Sequence, residues 1–218
     1  MLLSRVADNL YWGARYLERA EDTARIVRAY TELVIDLPTS ALSSWEPLLA
    51  VAGSGQLFHE LHDVGGELPI VRFLVAESAN PGSIAASVDR ARDNLRTTRE
   101  VIPREAWQTV NDLYLYVGSN AAGGVERRSR ARFLSHVIAE SRQLDGVMTT
   151  VMNRDEAYEL WRLGESLERA DMTTRVVGVR AAALLAAERT AQTDGVTDIH
   201  DDVQWMGLLR SVSAFQMY

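Results

Sequence analysis

Apolar residues recur at three- and four-residue steps through most of this chain. Leu3, Val6, Leu10, Leu17, Ala20, Ala24 and Val27 form one stripe, which predicts a long first helix over about residues 4–34. Leu37-Pro38-Thr39-Ser40 breaks that stripe, and Ser44 can cap a short helix carrying Trp45, Leu48 and Leu49. Val71–Ala76 is a short apolar run, taken as helix because no partner strand lies nearby. Ser83, after the Asn80-Pro81-Gly82 turn, is the expected N-cap of a helix running to about Val101. Pro103 opens the next helix, expected to end near Gly118, with Gly118–Gly124 read as a small-residue connector. Two long helices follow over about 125–152 and 155–188. A polar segment from Thr190 to Asp198 leads to a last helix through Trp205, Leu208 and Leu209. The expected fold is all-α, and the absence of a strand-turn-helix pattern removes Rossmann-type folds.

The pattern repeats. Leu17-Glu18-Arg19-Ala20-Glu21 returns as Leu167-Glu168-Arg169-Ala170-Asp171, and Thr23, Arg25, Ile26 and Val27 return as Thr173, Arg175, Val176 and Val177, at a constant offset of 150 residues. Upstream, Leu10 and Tyr11 fall on Leu160 and Trp161. Trp45-Glu46-Pro47-Leu48-Leu49 matches Trp205-Met206-Gly207-Leu208-Leu209 at an offset of 160. Two features in the same order point to an internal duplication within one helical domain spanning 1–218. Copy one covers about 1–124, a connecting helix about 125–152, and a partial copy two about 153–218. An incomplete second copy would leave an apolar face that favours self-association or a partner.

Charge enters the picture at the repeated motif. With roughly 100° per residue, Glu21 lies about 40° and Arg25 about 80° from Leu17, with Glu18 on the same flank near 100°. Glu18, Glu21 and Arg25 therefore make a charged edge beside the core, repeated as Glu168, Asp171 and Arg175. Acids so close to a core need partners. One reading is a salt-bridge brace in which the two copies satisfy each other across helices. The other is a polar ligand or partner site, in which Arg19, Arg25, Arg169 and Arg175 grip carboxylates or phosphates and Tyr11 adjoins. The i,i+3 carboxylates Glu18/Glu21 and Glu165/Glu168/Asp171 also permit a metal reading, disfavoured by the arginines beside them.

Composition removes several classes of chemistry. The chain has 218 residues, no cysteine and 23 basic residues, all of them arginine. Disulfides, thiol nucleophiles, lysine Schiff bases and a P-loop lysine are excluded. A net charge of -7 argues against nucleic acid as partner. The longest uninterrupted apolar stretch, Ala181–Ala187, is far shorter than the roughly 20 residues of a membrane span. The start of the chain lacks a secretory pattern, so a cytoplasmic protein is expected, with no cofactor or metal. His59 and His62 have the wrong spacing for a zinc protease helix and are read as surface residues. Arg127, Arg128, Arg130 and Arg132 are read as an exposed helix face or a contact for an acidic partner. The five tryptophans are read as packing residues.

The segment Asn9-Leu10-Tyr11-Trp12-Gly13-Ala14-Arg15-Tyr16-Leu17-Glu18-Arg19-Ala20-Glu21 resembles the opening of the bacterial alpha-E family. Ala91-Arg92-Asp93-Asn94, the Asn80-Pro81-Gly82-Ser83 turn and Ser213-Ala214-Phe215 add to the resemblance. That family is all-helical, of unknown biochemical function, and named for its glutamate-arginine motifs. Its members usually carry glycine where Ala14 stands, and continue well past the point where this sequence ends. The resemblance implies association with circularly permuted ATP-grasp ligases and transglutaminase-like proteins, in synthesis or modification of a peptide. It marks Glu18, Arg19, Glu168 and Arg169 as the residues of interest. The expected function is a non-catalytic helical module binding such a ligase, a transglutaminase-like protein or their peptide, with a homo-oligomer as a further option. The alternative is a helical-bundle enzyme using its paired carboxylates, by acid-base or metal-assisted chemistry, on a peptide or acidic metabolite.

Overall fold

A computed structural model describes residues 2–36, 44–190 and 206–217. The Leu37–Ser40 break, nearly all of the Thr190–Asp198 segment and Trp205 lie outside the described residues. Among the described residues the α-helices follow one another as α1 Ser4–Asp36, α2 Glu46–Ala52, α3 Gly55–Leu61, α4 Glu67–Val75, α5 Ile84–Arg96, α6 Arg104–Gly124, α7 Arg127–Val151 and α8 Glu156–Thr190. A helical turn over 206–211 and a 3-10 turn at Phe215–Met217 come last. Among the described residues there is no strand, and no helix is long and apolar enough to cross a membrane.

Helix α1 is the axis of the bundle. It packs against α8 on one side, α5 on another and α7 on a third, while α6 backs α5 and α7. Leu10, Leu17, Ala20, Ala24 and Val27 of the apolar stripe are buried, Val6 is half-buried and Leu3 at the start is exposed. The run from Val71 is helical to Val75, with Ala76 as the C-cap, and Val71, Phe73, Leu74 and Val75 enter the core from α4. Ser83 caps α5 by accepting from the Ala86 N–H at 3.1 Å. The Ser44 hydroxyl accepts from the Glu46 N–H, one position outside the cap of α2.

Two boundaries differ from the sequence pattern. Helix α5 stops at Arg96 and not near Val101, because the Thr97 and Thr98 hydroxyls turn back to the carbonyls of Asn94 and Leu95 and draw the last turn tight. The stretch 118–124 is not a connector but the last two turns of α6. Small residues there hide a helical period, since Ala121 and Gly124 face the core while Gly118 and Gly123 face open space. Gly124 must lack a side chain, because a Cβ would strike the Phe133 ring at the start of α7.

The arginine cluster also divides. Arg127, Arg128 and Arg132 are exposed, but Arg130 is fully buried. Its guanidinium donates to Glu67 at 2.9 Å and to the Val125 carbonyl at 2.8 Å, under the Trp45 ring. Glu67 is held below the usual carboxylate range by its hydrogen bond to Arg127, with Arg130 adding to the effect. An arginine in this cluster could be buried only because α4 brings an acid to it. Among the histidines, His59 is exposed, but His62 is half-buried, stacked on Phe58 and 3.0 Å from Glu77. Of the tryptophans, Trp161 is buried and Trp12 is partly exposed at the surface.

Candidate functional site

The dipeptides Glu18-Arg19 and Glu168-Arg169 meet where α1 crosses α8. Arg169 donates from Nε and Nη2 to the two oxygens of Glu18, at 2.8 and 3.0 Å. Arg19 makes the same two-pronged contact with Glu168, at 2.6 and 3.0 Å. Each dipeptide thus supplies the acid for one pair and the base for the other. Both carboxylates are buried, at 5% and 2% exposure. Two parallel N–H donors per carboxylate is the strong form of this interaction. The helices can approach so closely because Gly164 lies against the Tyr11 carbonyl and the Ala14 side chain. Ala14 is tolerated where the resemblance leads one to expect glycine, since the facing position is itself a glycine.

Around this centre the network spreads unequally. Arg15 adds a third contact to Glu168 at 2.7 Å and donates to the Tyr11 hydroxyl at 3.3 Å. Glu165 receives Arg169 at 2.7 Å and Arg162 at 2.5 Å. On the α1 side, Arg25 is buried among Glu18 at 3.5 Å, Glu21 at 3.4 Å and Asp22. Helix α7 contributes Arg142, which donates to Glu21 at 3.0 Å. Arg25 and Arg142 both donate at 2.9 Å to the Ser213 hydroxyl, which the C-terminal segment presents from a left-handed backbone (φ 59°).

Electrostatics follow the burial. Desolvation raises the Glu21 carboxyl and lowers the Arg25 guanidinium, in each case against the pull of the other. Glu165 is pushed up to about 7 by burial and then by Asp145, against Arg169 and Arg162. Arg169 moves upward because it is hydrogen-bonded to Glu18.

Of the residues singled out from the sequence, Glu18, Arg19, Glu21, Arg25, Glu168 and Arg169 come together, with Tyr11 at the edge through Arg15. Asp171 and Arg175 do not join them. They pair with each other at 3.0 Å, both substantially exposed, and Arg175 lies over Gly53 in the turn between α2 and α3. The offset of 150 therefore preserves the crossing point but not the second tier. Glu21 and Arg25 are covered by α7 and the C-terminal segment, and the matching residues on α8 face outward. Missed as members of the network were Arg15, Asp22, Arg142, Arg162 and Ser213. Arg15 stands one turn before Arg19 on the same face, which is a usable signal; Ser213 was marked only by the family resemblance, and Arg142 carried none.

Chemically, the arrangement locks two helices at a fixed register. The central carboxylates already hold guanidinium groups on both oxygens. Among the described residues, no group of three acids or histidines is placed to hold a metal ion.

No curated protein and no solved structure matches the chain. The sequence model of the Alpha-E family, described as a predicted alpha-helical domain with a conserved ER motif, matches residues 2–218. Glu-Arg dipeptides stand at Glu18-Arg19 and Glu168-Arg169, among others, and this chain belongs to the Alpha-E family.

Proposed function

We propose that the chain is a non-catalytic helical module acting in the cytoplasm. It binds a circularly permuted ATP-grasp-type ligase or a transglutaminase-like protein, or the peptide such a system makes or modifies. One observation supports this reading above others: the ER motifs engage each other. Glu18 and Glu168 are buried and doubly bonded to Arg169 and Arg19. A carboxylate so engaged is a poor general base, because taking up a proton would break a two-pronged ion pair. The motif thus works as a brace, and recognition falls to the outer surface.

The test is affinity purification of the tagged chain with a circularly permuted ATP-grasp protein, together with turnover assays on the chain alone. Stable co-purification without ATP consumption or amide formation is expected. Turnover by the isolated chain, abolished in Glu18→Ala, would reject the module.

One observation favours a second reading, an acid-base enzyme. Glu165 is poised near neutrality close to Asp145, with Arg162 between them at 2.5 and 3.8 Å. Activity on a peptide or acidic metabolite that vanishes in Glu165→Gln, while the melting temperature holds, would promote it. So would stoichiometric metal in the purified protein.

A further inference from the structure

Helix α8 carries apolar residues on two opposite faces. On the inner face Trp161, Met172 and Val176 pack inward with the buried acids Glu165 and Glu168, against α1 and α2. About 180° away, at roughly 100° per residue, lie Leu163, Leu167, Ala170, Thr174 and Val177. Their spacing alternates four and three, the seam of a helix that packs lengthwise on another helix. The three large members are 54%, 46% and 44% exposed, for Leu163, Leu167 and Val177. Solvating one leucine is ordinary, but a row of them in heptad register is not.

The matching face of α1 shows what such a stripe accepts. At the offset of 150, the five positions are Gly13, Leu17, Ala20, Ala24 and Val27. There Leu17 is 4% exposed, against 46% for Leu167. The cover is α5. Asn9 donates to Thr97 at 2.7 Å, Gly13 lies against Leu95, and Arg90 sits over the Tyr16 ring at 5.6 Å. Rising numbers on α1 meet falling numbers on α5, so α5 runs antiparallel. Its own inner stripe is Ile84, Ser87, Val88, Ala91 and Leu95.

Charge separates the two faces. Toward its N-terminus the α8 stripe runs into acids: Glu156 stands seven residues before Leu163 and Glu159 four before it, and both are exposed. Glu156 accepts from the Leu2 N–H at 3.0 Å. On α1 the same two positions are Val6 and Asn9, which carry no charge, and Asn9 is the residue that meets Thr97 just past the C-terminal end of α5. An antiparallel occupant of α8 therefore brings its C-terminal end to two acids. A helix C-terminus is itself stabilised by bases, so arginine or lysine there satisfies both demands. A second copy laid antiparallel would bring the apolar Val177 end of α8 to those acids and add its own net charge of -7. A helix with a basic end is the better complement.

We propose that the outward stripe of α8 docks one amphipathic helix of a partner protein. The helix lies antiparallel to α8, sets small and aliphatic residues against Leu163, Leu167, Ala170 and Val177, and aligns arginine or lysine of its last turn with Glu156 and Glu159. It sits further from α8 than α5 does from α1, because Leu163 stands where Gly13 admits α5 closely. The inference deepens the module reading by naming its surface, and rests on that reading for the partner's existence.

The probe is a helix-stapled, fluorescein-labelled peptide of the α5 region, Ser83–Arg99, titrated with the full chain and read by anisotropy. Saturable binding is expected. Leu167→Glu should weaken it roughly tenfold or more, the value of one buried leucine. Leu115→Glu, at an exposed leucine of α6, should leave it unchanged. Thr97→Arg in the peptide, at the position that meets Asn9 on α1, should tighten binding to the unmodified chain. Glu159→Arg in the chain should reverse that preference, so that a Thr97→Glu peptide binds it more tightly than the Thr97→Arg peptide. That charge exchange stands even if Leu167→Glu lowers stability. No binding, or binding indifferent to both α8 variants, overturns the proposal. So does a dimer seen by sedimentation that Leu167→Glu dissolves, because the occupant is then a second copy. A ligase that co-purifies equally with the Leu167→Glu chain leaves the module standing and overturns this surface alone.

Discussion

Arg169 grips Glu18 across the α1–α8 crossing with two parallel hydrogen bonds, 2.8 and 3.0 Å long, and 151 residues of chain separate the two. Arg19 returns the same grip to Glu168. Reciprocity of this kind fixes register, since a slide of either helix by one turn would break both pairs together. The acids are buried and the arginines partly exposed, so removing an acid and removing a base have different costs.

Glu18→Ala is expected to be the more damaging change. It takes the two-pronged contact from Arg169, which keeps only Glu165, and leaves buried Arg25 with one acid fewer. Loss of one member of a buried pair costs about 3–5 kcal/mol. Urea denaturation should show that loss, and a smaller one for Arg169→Ala, whose side chain is half exposed. A double-mutant cycle over Arg19 and Glu168 should return a coupling of about 0.5–3 kcal/mol. Additive losses would show that the pairs are incidental to the crossing.

Glycines on the long helices predict opposite effects. Gly164→Ala pushes a methyl into the Tyr11 carbonyl and Ala14, and backbone cannot move aside cheaply. A cost of about 1–3 kcal/mol is expected, with a melting temperature lower by about 2–4 °C per kcal/mol. Gly118→Ala, within α6, meets open space. There the helix gains about 0.5–1 kcal/mol. Thermal melts of the two variants side by side check both signs.

The central contact was legible in the sequence because an exact local match, Leu-Glu-Arg-Ala followed by an acid, recurs on two long helices. What lay beyond it was not. Arg142 reaches Glu21 from a helix 121 residues away, and nothing in the periodicity of α7 marks it. Asp171 and Arg175 copy Glu21 and Arg25 in type, yet their surroundings differ because α7 and the C-terminal segment cover only the α1 side. Local pattern reports helix face and spacing; which neighbour covers that face is decided by the whole bundle. The glycine-rich end of α6 failed for a related reason, since residues without side chains carry no amphipathic signal even when their backbone is helical.

Arg130 offers a separate test of a buried charge. Its guanidinium is fully enclosed, with Glu67 as its acid and the Val125 carbonyl as its second acceptor. Glu67→Ala leaves that cation unpaired in the core and should destabilise by about 3–5 kcal/mol. Arg130→Met combined with Glu67→Gln should recover much of the loss, because two neutral groups replace an orphaned charge. Guanidinium denaturation of the three proteins separates pairing from packing.

Glu165 predicts a pH dependence in the opposite sense from an ordinary paired carboxylate. Its folded value is pushed to about 7, above the usual 4.5, by burial and by Asp145. The folded protein therefore holds that proton more tightly than the unfolded chain does. The stabilisation is fully present below about pH 4.5 and is lost as pH rises through about 7. Glu21, raised by burial, acts in the same direction. Glu67, held low by Arg127, acts in the other, and its stabilisation is lost only as pH falls below the ordinary range. Between about pH 5 and 7.5 the wild-type chain should lose stability, by on the order of 1–3 kcal/mol. Glu165→Gln cannot titrate and should show a flatter profile over that interval, whatever its absolute stability. Urea midpoints at about pH 5, 6, 7 and 7.5 measure the slope directly. Parallel slopes for the two proteins would place the Glu165 carboxyl in the ordinary range and take away the observation that favours acid-base chemistry at this site.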